Sequence, residues 1–88
     1  MSRQRSMEVI EQAEYVTIGE LVRLTAVRYS TLKFYTEEGM LPFEQAEENL
    51  IRRYRTVESL ERIAQIRLLR EQKKTIPEIK EILGYGEE

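Results

Sequence analysis

Apolar residues recur at helical spacing over most of the chain, and the clearest start is Thr17. In Thr17-Ile18-Gly19-Glu20 a hydroxyl residue is followed three places on by Glu, the pattern of a capping box. Ile18, Leu21, Val22 and Thr25 then keep to one helical face. This predicts a helix of about two turns. Thr25-Ala26-Val27 makes a tight connection, and a second helix is predicted from about Arg28 to Glu38, closed by Gly39. Two short helices joined by so few residues match a helix-turn-helix. Leu21, Val22, Val27 and Leu32 supply its small core, which leaves Tyr29, Ser30, Lys33, Phe34 and Glu37 on the outer face of the second helix.

The periodicity changes after Gly39. Met40-Leu41-Pro42-Phe43 is apolar and extended, because Pro42 disfavours helix at Leu41. A polar loop from Glu44 to Asn49 leads into Leu50-Ile51-Arg52-Arg53-Tyr54, so these two segments are predicted to pair as a small β-hairpin. Alternation puts Ile51, Arg53 and Arg55 on one face and Arg52 and Tyr54 on the other. A long helix follows, from Thr56 as N-cap to about Gln72, with Val57, Leu60, Ile63, Ala64 and Leu68 as its stripe, widened by Ile66 and Leu69. The last helix opens on a second capping box, Thr75-Ile76-Pro77-Glu78, and Gly84 ends it; Ile76, Ile79, Ile82 and Leu83 form its apolar side. The fold class is therefore mainly α: a winged helix-turn-helix with a small two-stranded β wing and a supporting C-terminal helix pair. Residues 1–14 form an N-terminal extension with a faint stripe through Met7, Ile10 and Ala13, residues 15–84 the winged domain, and residues 85–88 a tail.

Composition narrows the chemistry. With 88 residues there is room for one domain. The chain has no Cys, His, Asp or Trp, which excludes disulfides, thiolate metal sites, a Cys nucleophile, an imidazole acid–base catalyst and a Ser-His-Asp triad. No enzyme activity, cofactor or metal is expected. The start has two arginines but no apolar core of a signal peptide, and no apolar run reaches membrane-spanning length, so a cytoplasmic location without membrane contact is expected. The net charge of −2 argues weakly against nucleic acid, but the distribution matters more than the sum. Arg23, Arg28 and Lys33 fall in a window without acids, Arg52, Arg53 and Arg55 form a second basic cluster, and Arg62, Arg67, Arg70, Lys73 and Lys74 a third. Acids gather at Glu37 and Glu38, at Glu44, Glu47 and Glu48, and at Glu87 and Glu88.

With these residues in order, Ile18-Gly19-Glu20, Leu32-Lys33-Phe34-Tyr35, Gly39-Met40-Leu41-Pro42, Asn49, Arg52-Arg53-Tyr54 and Ile76-Pro77-Glu78-Ile79-Lys80, the stretch 15–84 resembles the DNA-binding domain of MerR-type transcription regulators. Each motif alone is weak; their succession at the right spacing is specific. The resemblance implies that Lys33 takes the place of a recognition-helix Arg that contacts a base or a phosphate. Bidentate readout of guanine is weaker from a Lys. It implies that Phe34 stands for a Tyr, that Tyr35 contacts DNA from the helix, that Arg52 binds phosphate from the wing and that Tyr54 is the aromatic that follows it. Ser30 lacks a basic residue common in the family, for which Arg28 and Tyr29 compensate. The DNA-binding candidates are thus Arg28, Tyr29, Ser30, Lys33, Phe34, Tyr35, Arg52, Arg53 and Tyr54. The competing readings are a core aromatic for Tyr35, solvated charges for Arg28 and Lys33, a surface charge or an ion pair with a wing Glu for Arg52, local salt bridges for Arg53 and Arg55, and the polar end of a helix for Arg70 to Lys74.

The departures carry expectations of their own. Ala26 stands where the family has a turn glycine, which is tolerable if the backbone there has negative φ. Leu50-Ile51 replaces Gly-Tyr at the wing, and Glu44, Glu47 and Glu48 should repel phosphates, turning the wing tip from DNA or toward a partner. With the sequence ending at Glu88, the family's dimerisation coiled coil and effector domain are expected to be absent, and without Cys the metal sensing of its founding members is too. Regulation then falls to a regulatory protein partner, expression level or proteolysis. Residues 1–14 are the candidate for a weak or DNA-dependent homodimer, packing on a second copy or on the chain's own long helix, and removal of residues 1–13 is expected to abolish cooperative binding and leave the fold intact. The partner expected is double-stranded DNA and the role that of a bacterial transcription regulator. The alternatives are a phage or plasmid recombination or segregation factor, and a protein-interaction module that kept the fold.

Overall fold

The computed structural model describes residues 4–47 and 50–84. The elements run α1 (Met7–Gln12), β1 (Tyr15–Val16), α2 (Ile18–Thr25), α3 (Tyr29–Glu37), β2 (Tyr54–Arg55), α4 (Thr56–Glu71) and α5 (Ile76–Gly84). Glu48 and Asn49 of the predicted wing loop and the tail 85–88 lie outside the described residues.

The start of α2 is the capping box read from the sequence. Glu20 N–H donates to Thr17 Oγ1 at 3.2 Å, and the Glu20 carboxylate accepts from Thr17 N–H at 2.9 Å. The second box also forms: Glu78 N–H donates to Thr75 Oγ1, and Thr75 N–H to the Glu78 carboxylate. The end of α3 is a Schellman motif. Met40 N–H donates to Tyr35 C=O and Gly39 N–H to Thr36 C=O, with Gly39 at φ 81°. The turn between α2 and α3 departs from expectation. Ala26 caps α2 in the left-handed region at φ 61°, its N–H donating to Val22 C=O. A Cβ there is strained by about 1–2 kcal/mol. Lys73, at φ 67°, takes the same conformation after α4.

The wing is sparser than the sequence suggests. Met40 and Leu41 turn into the core instead of forming a strand. Among the described residues the backbones of the two arms pair at one antiparallel bridge, Glu44 opposite Arg53, closed by a bond in each direction at 2.7 and 2.8 Å. The two-stranded sheet is a different pairing: β1 with β2, Tyr15 opposite Arg55 and Val16 opposite Tyr54. The returning arm therefore has the N-terminal strand as its ladder partner, a residue pair too distant in sequence for a turn signal to reveal. That ladder extends one step further, with Thr56 N–H donating to Glu14 C=O.

The same bond moves the start of α4. Thr56 is its first residue, not its N-cap; the N-cap is Arg55, whose side chain caps nothing. Thr56 is buried with Oγ1 unpartnered. The buried face of α4 is Thr56, Ser59, Ile63 and Ile66. Val57, Ala64 and Leu68, predicted for the stripe, face solvent, because packing against β2, α2 and α5 selects the face.

The core draws on nearly every element: Ile10, Val16, Leu21, Leu32, Tyr35, Met40, Leu41, Tyr54, Ile63, Ile66, Ile79 and Leu83. Val22 and Val27 pack against it half-buried. The N-terminal extension takes part. Ser6 caps α1, Ile10 is 0% exposed, and α1 packs against α2 of its own chain. Arg5 grips the Glu20 carboxylate with Nε and a terminal nitrogen at 2.8 and 2.7 Å, and reaches Tyr15 C=O. Removing residues 1–13 would thus open the core. Among the described residues no helix is long and apolar enough to cross a membrane, and no cluster of acidic, His or Cys residues could hold a metal ion.

Candidate nucleic-acid interface

Helix α3 divides its residues sharply. Leu32, Tyr35 and Thr36 are buried, which fixes the helix against the core. Tyr29, Ser30, Lys33, Phe34 and Glu37 are exposed, with Arg28 at the N-cap. Tyr29 is 54% and Phe34 40% exposed, large fractions for aromatic rings. A solvent face that sets two aromatic rings beside Lys33 offers both stacking area and positive charge.

The helix-turn-helix is braced at several points. Arg67 of α4 donates to Thr25 C=O at the end of α2, and Lys80 of α5 pairs with Glu38 at the end of α3, at 3.2 Å. Arg23 donates to Arg5 C=O. Glu20 holds the other end of α2. The Arg5 guanidinium bonded to it and the Thr17 bonds lower its pKa to about 2, against the opposing effect of burial. Arg23 and Arg67, from the first and third basic clusters, are thus occupied in holding the helix-turn-helix, together with Arg5 and Lys80 from outside them.

On the wing, Arg52 lies with its guanidinium 4.6 Å from the centroid of the Phe43 ring, and Arg53 is exposed. Arg55 is engaged locally: its Nε is 2.9 Å from Glu44 Oε2, which raises its pKa, and Glu14 and Glu58 lie within 3.9 Å. Tyr15 O–H donates to the other Glu44 oxygen at 3.2 Å. Burial first, and then the bond to Glu44, push the Tyr15 phenol up. Glu44, the first acid of the wing loop, is therefore compensated by Arg55 and Tyr15. Leu50 and Ile51 are exposed at 50% and 71%, so the loop end is apolar rather than purely acidic.

Of the sequence candidates, Arg28, Tyr29, Ser30, Lys33 and Phe34 come together along the exposed side of α3, while Arg52 and Arg53 stand at the surface of the wing. Tyr35 and Tyr54 do not belong with them. They are 5% and 1% exposed, and both rings are part of the core. Tyr35 packs there because it follows Leu32 by three residues on the same helical side. Sequence reasoning passed over Thr36 and Phe43. Thr36 bonds the Tyr54 hydroxyl at 3.0 Å, and the Phe43 ring lies 6.2 Å from that of Tyr54 and carries Arg52. The apolar character of Phe43 between Pro42 and a polar loop was the available signal; Thr36 offered none.

Comparison with protein-family models matches residues 16–85 to the MerR HTH family regulatory protein. Comparisons with curated proteins and with solved structures each return no match. The matched span runs from β1 to the end of α5 and takes in the capped α2, the exposed α3 and the wing. The regulators of this family bind DNA and are not enzymes. The chain belongs to the MerR HTH regulatory family.

Proposed function

We propose that this chain is a sequence-specific double-stranded DNA-binding transcription regulator. The exposed side of α3 enters the major groove, and Arg52 and Arg53 of the wing meet the flanking backbone. The observation that carries this is the division of α3: one side is locked into the core, while the other holds Tyr29, Ser30, Lys33 and Phe34 in solvent. Arg28 at the N-cap adds charge at the end from which recognition helices commonly reach bases. The action is cytoplasmic. Two copies pair on DNA across an inverted repeat, weakly or only when bound. Ile10 is buried in its own domain, so α1 offers Met7 and Val9, both exposed, for that pairing.

Binding-site selection with purified protein tests the reading. The expected outcome is an enriched motif bound with steep salt dependence, since each neutralised phosphate releases counterions. Lys33→Ala should then cost about 1–3 kcal/mol on the selected site. If no motif is enriched and Lys33→Ala leaves affinity unchanged, the surface of α3 serves a protein partner instead.

A further inference from the structure

We infer that Thr36, Tyr54 and Phe43 form a positioning relay that fixes the wing cation Arg52 relative to α3; this rests on the DNA-binding reading above. Thr36 and Tyr54 are both buried, at 5% and 1% exposure. Thr36 Oγ1 donates its proton to Leu32 C=O at 2.9 Å. A hydroxyl has one proton to give, so in the 3.0 Å contact between Thr36 Oγ1 and Tyr54 Oη, the tyrosine is the donor. The bond is thereby directional: the hydroxyl of the wing's returning arm ends on α3.

From Tyr54 the relay continues outward. The Phe43 ring packs on the Tyr54 ring at 6.2 Å with a 49° tilt. Its neighbour Glu44 is tied to Arg53 by the paired backbone bonds of the bridge, which keeps Phe43 at that register. The guanidinium of Arg52 then lies 4.6 Å from the Phe43 centroid, a cation held over the negative face of the ring. Arg52 and Tyr54 are two residues apart, so both fall on one side of the extended arm. Among the described residues the wing has one bridge and no ladder between its own arms. The orientation of Arg52 therefore depends on this relay more than on β structure. Tyr54 would act on DNA through Arg52, not by touching it.

Tyr54→Phe tests the relay because it keeps the ring and leaves the proton of Thr36 on Leu32. The measurement is affinity for the selected site as a function of salt, with Arg52→Ala as the second arm of a double-mutant cycle. Tyr54→Phe should weaken binding about three- to tenfold and lower the salt slope by about one, the signature of one lost phosphate contact. Arg52→Ala should do the same, and the double variant should lose no more than either alone. Thr36→Ser keeps the acceptor and should retain the wild-type slope, whereas Thr36→Val should reproduce Tyr54→Phe. Additive losses, or a Tyr54→Phe that lowers the melting temperature and leaves the slope unchanged, would overturn the proposal and leave Tyr54 as core packing only. A readout free of DNA separates this from failure of the functional reading. In the nuclear magnetic resonance spectrum of the free protein, the Arg52 Nε–H should be ring-shifted by Phe43 and lose that shift in Tyr54→Phe but not in Lys33→Ala. Retention of the shift in Tyr54→Phe overturns the relay even if no DNA site is found.

Discussion

The helix-turn-helix and the wing contribute to one core but are held by different kinds of contact. Within α2 and α3 the ends are closed by neighbours in sequence: Thr17 with Glu20 at the start, Gly39 and Met40 with Thr36 and Tyr35 at the finish. The buried sides of both helices, Leu21, Leu32 and Tyr35, face inward at helical spacing. The wing has little of its own. The bridge between Glu44 and Arg53 is supplemented by Tyr54 against Thr36, by Arg55 with Glu44, and by the pairing of β2 with β1. A recognition element that must hold one shape is thus specified locally, and the accessory arm takes its shape from what it leans on. The apolar end of that arm, Leu50 and Ile51, is left in solvent.

The comparison can be broken most forcefully at Leu32, which is 0% exposed. Leu32→Ala should cost about 2–5 kcal/mol by transfer and cavity terms. Leu50→Ser should stay within about 0.5 kcal/mol, as surface substitutions do. Urea unfolding of the two variants decides it, and equal losses would mean the wing end is structurally integrated after all. The helix-turn-helix has one local flaw to repair. Ala26→Gly should stabilise by about 1 kcal/mol, because glycine adopts the positive φ at that turn without the Cβ clash. A loss of stability in the same assay would show that the Cβ packs usefully there.

A smaller effect is expected from acid. Glu20 has its pKa lowered from 4.5 to about 2 by Arg5 and Thr17. A depressed carboxylate contributes stability that is complete above its unfolded pKa and is lost as pH falls through the folded one. The melting temperature should therefore fall between about pH 4.5 and 2 in the native chain. Glu20→Gln should flatten that window while leaving neutral-pH behaviour of the wing unchanged. A wild-type slope in Glu20→Gln would place the acid sensitivity elsewhere.

How much of this could be read from the sequence follows the same division. Both capping boxes, Gly39, and the inward set around Leu21 and Leu32 are local signals, and the structure has them where the pattern puts them. The spacing of Tyr35 from Leu32 is compatible with the core, where the structure has it, while the family resemblance implies the DNA surface. Helix α4 shows why periodicity alone runs out. It carries apolar residues on two sides, and the choice between Val57, Ala64 and Leu68 on one and Ile63 and Ile66 on the other is made by partners distant in the chain. The small hydroxyl residues Thr56 and Ser59 sit on the buried side, where no hydrophobicity count would place them. Of the candidate interface, the exposed residues of α3 were legible as the complement of its core. The pairing of Tyr54 with Thr36 was not, since it depends on a contact between two arms that the sequence separates.

The β1–β2 pairing also sets an order of events during biosynthesis. Tyr15 has its ladder partner at Arg55, and Glu14 accepts from Thr56. An N-terminal strand leaving the ribosome has nothing to pair with until the entire wing and the first residue of α4 have followed it. The helix-turn-helix, by contrast, has its caps available as soon as Met40 emerges. In the interval the nascent chain presents α2 and α3 without their buttresses, Arg67 and Lys80 not yet having emerged. Apolar surface that ends in the core is then open to chaperones and proteases. Closure of the sheet therefore waits on residues translated well after the ones it covers.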